Sequence, residues 1–382
     1  MERVLVIADF DATGGTGTYL KRVLPYLVER FEVRLALHHN QRSNPLIPYL
    51  KTLGVAISDD FVLFPKVDYF LNRVFRRLGL SLFYLFARDT IARLRLEKTY
   101  RPASIFISQG GGCNYFSFLL SRLPCAIVTH SLFTSPISQT KGYRPYLKFY
   151  RGIDNKTKRI CCVSKYAKDL FDQNILGGAL SDISTVVPNF GTEPTVTRRD
   201  RTGSLTVLTI GHVIAYKNPE TWMMVAMDIS RRYPNAVRFV WAGSGDSLRE
   251  MRERSAGRPD IAFIGFVDET DRLYSESDIY FQPSVWESQG ISVVEAMAYG
   301  LPCVVSSAGG LPESVEDGIN GFVRDPYDAS GFADAIAELI DHPKTREQQG
   351  NNGIVKFHTE FTKERWESRM NEVLSTIMGD RS

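Results

Sequence analysis

The stretch Pro283–Cys303 reads PSVWESQGISVVEAMAYGLPC and places two glutamates, Glu287 and Glu295, eight residues apart in an otherwise apolar segment. The run Ile291–Tyr299 is predicted to be a helix that ends at the following Gly-Leu-Pro triplet, because glycine and proline stop helices. Glu287 then lies in the loop before the helix, and Glu295 lies one turn into it. A chain that folds for stability alone rarely buries two carboxylates, so the pair predicts a ligand site.

The residues just before this helix are expected to turn backbone N–H groups toward a ligand: Ser288, Gln289, Gly290 and Ile291. The amino end of a helix carries the equivalent of roughly half a positive charge, so a phosphate can bind there. Two carboxylates repel a phosphate unless they bind other parts of the ligand, and carboxylates accept hydrogen bonds from vicinal hydroxyls. A nucleotide sugar, with hydroxyls at both ends and phosphates between them, fits this pattern. The alternative is a glutamate pair that only complements the helix dipole.

Short apolar runs alternate with amphipathic runs on both sides of this stretch, which predicts parallel sheets covered by helices on both faces. The predicted strands are Val4–Ala8, Val33–Leu37, Ser104–Ile107, Ala126–Thr129, Ile160–Val163, Thr206–Ile210, Arg238–Ala242, Ala262–Ile264, Ile279–Gln282 and Cys303–Ser306. Two such sets predict an α/β protein with two doubly wound domains. The polar, Gly- and Pro-containing stretch at residues 190–204 predicts the boundary between them.

The chain of 382 residues is 43% hydrophobic and 23% charged, which is typical of globular proteins and leaves room for two domains. No apolar run reaches the roughly 20 residues that span a bilayer. The opening MERVLVIADF predicts a strand rather than a signal peptide. The five cysteines show no metal-binding or redox spacing and are expected to be reduced core residues. We therefore expect a cytoplasmic protein.

The net charge of +3 is unevenly distributed, because residues 1–195 hold 26 basic against 15 acidic side chains. Two basic, aromatic-rich segments, Pro65–Arg101 and Lys141–Arg159, account for much of this excess. Basic residues combined with Phe, Leu and Tyr favour a surface that lies on an anionic membrane. The alternative is a solvated face over an ordinary core. No motif indicates nucleic-acid binding.

The segment Pro283–Val323 resembles the signature of the large family of retaining, nucleotide-sugar-dependent glycosyltransferases with the GT-B fold. It has the two glutamates with seven residues between them, a predicted helix, and the segment DGINGFV at Asp317–Val323. Ile210–Ala226 is similar to the family's G-R-x-x-x-x-K-G segment. The resemblance implies two Rossmann-like domains that face each other across a cleft. Residues 1–195 would bind the acceptor, with a crossover helix at about 362–382, and residues 196–361 would bind the nucleotide sugar.

The resemblance also implies roles for individual residues. Glu287 would hold hydroxyls of the transferred sugar, and Glu295 would accept hydrogen bonds from the ribose. Lys217 would supply a positive charge to the diphosphate, alongside the N–H groups near Ile291. His130, at a predicted strand end, would orient a sugar hydroxyl or the acceptor, so Glu287, Lys217 and His130 form the predicted catalytic set.

Other residues are expected to line the donor site in this family's pattern: Gly15, Gly17, Gly211, His212, Gly243, Gly245, Phe266 and Val267. Gly15 and Gly17 belong to the TGGTG loop before a helix predicted to start near Thr18. The alternative to a donor-binding role is that this loop is a turn that needs glycine only for its backbone conformation. His212 stands where the family has arginine, which offers at most one donor to the diphosphate in place of two. The family pattern also changes at Gln289 and at Asn189-Phe190-Gly191.

The function implied by the resemblance is retaining transfer of a hexose from a nucleotide-diphosphate sugar, such as a UDP-sugar, to a hydroxyl acceptor. The acceptor would be a glycan or lipid-linked glycan in bacterial surface polysaccharide or lipopolysaccharide synthesis, and the enzyme could be peripheral on the inner face of the membrane. Lys217 and the helix dipole would replace a metal ion, so we expect metal independence and no other cofactor. Two alternatives remain, a non-catalytic partner that keeps the fold as a scaffold and a sugar-nucleotide epimerase of similar fold.

Overall fold

The structure is a computed structural model that describes residues 1–9, 14–37, 44–58, 70–71, 73–75, 77–78, 81–109, 116–132, 153, 155–175, 178, 180–196 and 203–379. The chain divides into two compact units. The first unit is Met1–Val187 with Glu367–Ser382, and the second is Pro188–Trp366.

The segment just after Val187 belongs to the second unit because its polar groups form hydrogen bonds with residues of that unit. The Gly191 N–H donates to the carbonyl of Phe361 over 3.0 Å, and the Asn189 N–H donates to the Gln289 side chain over 2.7 Å. The unit boundaries therefore lie at 187/188 and 366/367, whereas the sequence pattern predicted 195/196 and 361/362.

The first unit is built on a parallel sheet. Among its described residues, seven strands run in the order β3-β2-β1-β4-β5-β6-β7. The strands are β1 Arg3–Asp9, β2 Glu32–Leu37, β3 Ala56–Ser58, β4 Ser104–Gln109, β5 Cys125–Thr129, β6 Lys158–Cys162 and β7 Ser184–Val186. The helices are α1 Gly15–Arg30, α2 Ile47–Thr52, α3 Ser81–Tyr100 and α4 Lys165–Asn174, with short 3-10 turns at Phe116–Leu120 and Ser181–Ile183.

The second unit repeats this design. Its described strands form a six-stranded parallel sheet in the order β10-β9-β8-β11-β12-β13. The strands are β8 Leu205–Ile210, β9 Val237–Ala242, β10 Ile261–Gly265, β11 Ile279–Gln282, β12 Cys303–Ser306 and β13 Gly321–Arg324. The helices are α5 Pro219–Arg232, α6 Leu248–Arg254, α7 Asp271–Ser275, α8 Ile291–Ala298, α9 Leu311–Ser314, α10 Ala329–Asp341 and α11 Pro343–Glu360, with a 3-10 turn at Ala215–Lys217. The last helix, α12 Lys363–Met378, begins in this unit and ends in the first.

Burial on both faces of the second sheet explains why its strands are almost continuously apolar. Neighbouring residues of β8, Val207 and Leu208, are both fully buried, yet they belong to two different core clusters. Successive side chains of a strand point to opposite faces, so each face of this sheet has its own helical cover. This confirms the predicted α/β class with doubly wound sheets.

Helix α12 contributes to both units. Trp366 is buried and packs against Phe190 with ring centroids 5.3 Å apart in the second unit. Five residues later, Asn371 accepts a 2.6 Å hydrogen bond from the Tyr26 hydroxyl in the first unit. The chain therefore returns to the first unit along one continuous helix.

Much of the predicted membrane-facing surface falls outside the described residues, including nearly all of Lys141–Arg159 and parts of Pro65–Arg101. Where that surface is described, α3 buries Ala92 and Leu96 in the core of the first unit and exposes Ile91 and Leu94. Within the described part of the chain, no helix has the length and apolar content needed to span a bilayer.

Candidate functional site

Lys217 and Glu287 meet at the point where the strand order of the second sheet reverses. Lys217 ends the turn that follows β8, and Glu287 lies in the loop after β11, the strand that pairs with β8 in the sheet. The Lys217 ammonium contacts Oε2 of Glu287, and the two side chains are only 14% and 13% exposed. In open parallel sheets this carboxyl edge at the strand reversal is where ligands bind.

The turn that carries Lys217 is fixed to the Glu287 loop through Asn218. Its Nδ2 donates to the carbonyl of Pro283 over 3.1 Å and to that of Pro326 over 2.7 Å. Asn218 has a left-handed backbone (φ 60°, ψ 53°) and caps α5 by accepting from the Thr221 N–H. We did not predict Asn218 from the sequence, although an Asn-Pro pair before a helical run signals such a cap.

Gln282, the last residue of β11, fixes the carboxylate of Glu287 from the other side. Its Nε2 donates to Oε2 of Glu287 over 2.9 Å. Its Oε1 lies 3.0 Å from the Tyr280 hydroxyl and accepts from the Ser292 hydroxyl over 3.1 Å. Gln282 is buried, and it could not be recognised from the sequence, because a lone glutamine in an apolar strand gives no signal of its own.

The backbone of Glu287 rests against a second glycine-containing loop, the one after β12. The Gly310 N–H donates to the carbonyl of Glu287 over 3.1 Å. A Cβ built on Gly309 would lie 1.7 Å from that same oxygen, and Gly309 has φ +63°. Only glycine fits there, and the AGG triplet inside the family-like segment was the available signal.

Helix α8 presents its amino end at the same edge of the sheet. Gly290 is its N-cap, with φ 91° and ψ 73°. Among the described residues, none accepts a hydrogen bond from the N–H groups of Ser288, Gly290 and Ile291. Unpaired N–H groups at a helix start favour an anion.

Glu295 is held by a buried tyrosine of the preceding helix, α7. The Tyr274 hydroxyl lies 2.8 Å from Oε2 of Glu295 and 3.2 Å from the carbonyl of Ser292. Because Ser292 also donates to Gln282, one residue connects the surroundings of both glutamates. The structure therefore brings Lys217, Glu287 and Glu295 to one edge of the second sheet.

The Gln289 side chain is committed to the chain itself. Its Oε1 accepts from the Asn189 N–H over 2.7 Å, and its Nε2 donates to the Asn189 carbonyl over 3.0 Å. Gln289 is only 2% exposed. Its carboxamide is thus occupied, and a ligand can use only its backbone. The two departures from the family pattern, at Gln289 and at Asn189-Phe190-Gly191, are hydrogen-bonded to each other.

The glycines that follow β8 and β9 pack their loops back to back. A Cβ on Gly243 would lie 1.9 Å from the carbonyl oxygen of Gly211, and one on Gly245 would lie 2.4 Å from that of Val213. Gly211 is also beside the ion pair, since a Cβ there would lie 3.8 Å from Cε of Lys217. The close approach of these two loops is a structural reason for glycine at these positions. His212, which follows Gly211, is partly exposed.

Phe266 and Val267 follow β10, which is two strands away from β8 in the sheet. Phe266 is 52% exposed at the carboxyl edge. The described contacts do not join this pair to Lys217 or Glu287.

In the first unit, His130 lies beside the start of α1. Its ring meets that of Tyr19 edge to face, with centroids 4.6 Å apart. Helix α1 begins at Gly15 rather than near Thr18, so Gly15 and Gly17 lie in its first turn, and the Thr18 N–H donates to the Gly14 carbonyl over 3.1 Å. The structure therefore places His130 against the helix whose first turn contains Gly15 and Gly17.

His130 is a neutral side chain at pH 7. Part of the residue reaches the surface, but Nε2 is buried, and no group in the described ranges is hydrogen-bonded to it. Burial lowers the pKa of His130 to about 4. An uncharged imidazole can accept a hydrogen bond from a hydroxyl at one ring nitrogen.

The described residues contain no group of three or more His, Cys, Asp or Glu side chains placed to hold a metal ion. Cys125, Cys161, Cys162 and Cys303 are buried and unbridged, while Cys113 lies outside the described residues. Burial raises the pKa of the Cys125 and Cys161 thiols to about 12, so they remain protonated core residues.

The family model described as glycosyl transferases group 1 matches residues 197–356, which is most of the second unit. Spore coat protein SA of Bacillus subtilis is 33% identical over 161 residues, 39% of this chain and 42% of that protein. D-inositol 3-phosphate glycosyltransferase of Paenarthrobacter aurescens is 28% identical over 196 residues, 49% of this chain and 48% of that protein. The matches thus span less than half of these curated relatives.

Solved structures match over nearly the whole chain. HepE from Anabaena, in complex with UDP-glucose, superposes with a TM-score of 0.74 at 17% identity and covers 98% of this chain and 100% of its own. A glycosyltransferase from Rickettsia africae superposes with a TM-score of 0.76 at 14% identity, with 99% of each chain covered. At these identities the likeness establishes the two-unit fold.

Proposed function

We propose that this protein transfers a sugar from a nucleotide-diphosphate sugar to a hydroxyl acceptor. The match of residues 197–356 to the glycosyl transferases group 1 model and the GT-B fold of the chain support this proposal. One observation carries the proposal. A lysine and a glutamate 70 positions apart meet, mostly buried, beside the amino end of α8 at the strand reversal of the second unit.

The donor's diphosphate is proposed to bind at the amino end of α8. The N–H groups of Ser288, Gly290 and Ile291 supply donors, and Lys217 supplies a full positive charge. A hydrogen bond to a charged group contributes about 1.5–3 kcal/mol. Glu295, already oriented by Tyr274, is proposed to accept hydrogen bonds from the ribose hydroxyls.

Lys217 is proposed to act most strongly in the transition state. As the bond between the sugar and the diphosphate breaks, negative charge builds on the leaving oxygen, and a positive group held nearby stabilises it. Asn218 fixes the turn that carries Lys217, so the backbone at this position is set before any ligand arrives. This is the basis for proposing metal independence.

Glu287 is proposed to bind hydroxyls of the transferred sugar, and His130 to orient a sugar hydroxyl or the acceptor. A carboxylate accepts hydrogen bonds only, and a neutral imidazole offers one acceptor and one donor. Retention of the anomeric configuration is part of the same proposal.

The finer description is proposed from relatives and neighbours. HepE has been solved with UDP and with UDP-glucose, which supports a UDP-sugar donor. The neighbour WaaB is a lipopolysaccharide outer core galactosyltransferase, with a TM-score of 0.68 at 14% identity, which supports a surface-glycan acceptor. We propose a cytoplasmic enzyme that works at the inner face of the membrane.

A thermal-shift screen against nucleoside diphosphates and nucleotide sugars tests the function. The matching ligand should raise the free energy of unfolding by about 2.7 kcal/mol at 100 times its Kd. Lys217→Ala should abolish most of this shift and lower transfer by about 100-fold, because the diphosphate loses its one proposed side-chain cation.

Lys356→Ala is the matched control, since Lys356 is a comparably shielded lysine (13% exposed) with a 2.7 Å ion pair to Glu316, outside the proposed site. A wild-type protein that no nucleotide stabilises would overturn the proposal. So would equal shifts in the two lysine variants.

A further inference from the structure

The carboxylate of Glu287 is approached by two donors on one oxygen. Lys217 Nζ and Gln282 Nε2 both contact Oε2, the latter over 2.9 Å. Within the described part of the chain, no donor contacts the other oxygen, Oε1. The two donors therefore occupy Oε2 of Glu287 and leave Oε1 available to accept a hydrogen bond from a ligand.

The Glu287 carboxylate determines which end of the Gln282 carboxamide faces it. An ionised carboxylate can only accept, so the group that faces Glu287 must be the NH₂. The carbonyl of the amide then faces two hydroxyls, those of Ser292 at 3.1 Å and Tyr280 at 3.0 Å. A leucine at this position would form neither hydrogen bond, and an ionised carboxylate could accept from the hydroxyls but could not donate to Glu287.

The partners of Gln282 are themselves anchored. Tyr280 is fully buried, and its hydroxyl lies 3.2 Å from the carbonyl of Ile210 at the end of β8. Ser292 lies in the first turn of α8. Gln282 thus ties the end of β8, the end of β11 and the start of α8 to one oxygen of Glu287.

We propose that Gln282 is a positioning residue that holds the Glu287 carboxylate so that Oε1 alone faces a hydroxyl of the transferred sugar. This inference rests on the proposed glycosyl transfer. In the proposed reaction, Gln282 does not contact the substrate. Its role is to hold Glu287 in the one orientation that aligns the sugar with the diphosphate.

The test compares Gln282→Leu with Gln349→Leu. Gln349 is also buried, at 3% exposure, and among the described residues its side chain bonds only to the Gly318 carbonyl, at 3.4 Å. Both substitutions place a leucine where an amide was, but only the first acts on Glu287. The readouts are the affinity for the nucleoside diphosphate found in the screen, and kcat and KM for the matching nucleotide sugar.

We expect Q282L to bind the nucleoside diphosphate within about twofold of wild type, because the proposed diphosphate contacts are untouched. Its kcat should fall about 10- to 100-fold, the loss expected when a reacting group is misplaced by a fraction of an ångström to an ångström. Q349L should leave the diphosphate affinity and kcat close to wild type. A Q282L enzyme with wild-type kcat would overturn the inference, as would equal losses in the two variants.

Gln282→Glu adds a readout that a purely structural role would not change. When protonated, the introduced carboxyl can donate to Glu287 as the amide does, and when ionised it repels Glu287. The kcat of Q282E relative to wild type should therefore rise as the pH falls. A ratio that does not change with pH would contradict the positioning role. If wild type binds no nucleotide and transfers no sugar, the proposed function itself fails, and this inference fails with it.

Discussion

At the scale of single residues, each glutamate of the site is held by a neutral, buried side chain. Glu287 has Gln282, and Glu295 has Tyr274. Glu287 also pairs with the Lys217 ammonium through the oxygen that Gln282 contacts, so its other oxygen remains to accept hydrogen bonds from hydroxyls. The neutral Tyr274 orients Glu295 without neutralising it. The sequence revealed the two charged residues because carboxylates in an apolar run are conspicuous, and it concealed their partners because Gln and Tyr there are not.

Tyr274→Phe tests this arrangement at Glu295. The variant keeps the ring and loses the hydroxyl that lies 2.8 Å from Oε2 of Glu295. A lost hydrogen bond to a charged group should weaken nucleoside diphosphate binding by about 1.5 kcal/mol, which is roughly tenfold, measured by titration calorimetry. Glu295→Ala should weaken it further. Tyr233→Phe, which removes a 2.7 Å hydrogen bond to Asp341 on the surface, should leave the affinity unchanged. Equal affinities for Y274F and wild type would argue against a ribose role for Glu295.

At the scale of elements, the loops after β8, β11 and β12 form the site by contact with one another. Val285 N–H donates to the Tyr216 carbonyl over 2.8 Å, and Gly310 N–H donates to that of Glu287 over 3.1 Å. These bonds join loops from three different strands. The position of Glu287 therefore depends on the backbone of its neighbours as much as on its own loop.

Gly309→Ala tests that dependence, and Gly318→Ala is its control. Both glycines have a left-handed backbone, with φ +63° and φ +76°, so each substitution costs about 1–2 kcal/mol in backbone strain. The added methyl at Gly309 would lie 1.7 Å from the Glu287 carbonyl oxygen, whereas the one at Gly318 meets nothing within 4 Å. We expect G309A to lose transfer activity beyond its loss of stability, and G318A to lose only stability, as measured by urea unfolding and donor turnover. Retained turnover in G309A would show that Glu287 tolerates the displaced loop.

At the scale of the whole molecule, the partly buried His130 makes the stability of the first unit depend on pH. Burial lowers its pKa to about 4, below the 6.5 of an unperturbed histidine. Between these values the unfolded state binds the extra proton, so the free energy of unfolding falls as the pH drops from 6.5 towards 4. The contribution of this one group is at most about 3.4 kcal/mol.

Urea unfolding at a series of pH values measures this effect, and the chain offers a way to separate the units. All four tryptophans lie at or between positions 222 and 366, within the second unit, so circular dichroism lost without a change in tryptophan fluorescence reports the first unit. His130→Gln should reduce the loss of first-unit stability between pH 6.5 and 4, and the substitution His342→Gln, at an exposed histidine, should not. If H130Q lost as much stability as wild type over this pH range, another group would control the loss.

The sequence by itself determined the α/β class, the central strands and the glutamate-bearing loop and helix, because buried strands and helix ends carry local signals. It missed three short strands at sheet edges, Ala56–Ser58, Ser184–Val186 and Gly321–Arg324, which are only partly buried and so lack a continuous apolar run. Only the tertiary structure decided which polar groups pair. Lys217 meets Glu287 across 70 positions, and Gln289 meets Asn189 across 100. The physical reason is that a buried polar group must find a partner, and the packing of loops from different strands, not the order of residues along the chain, determines which partner is within reach.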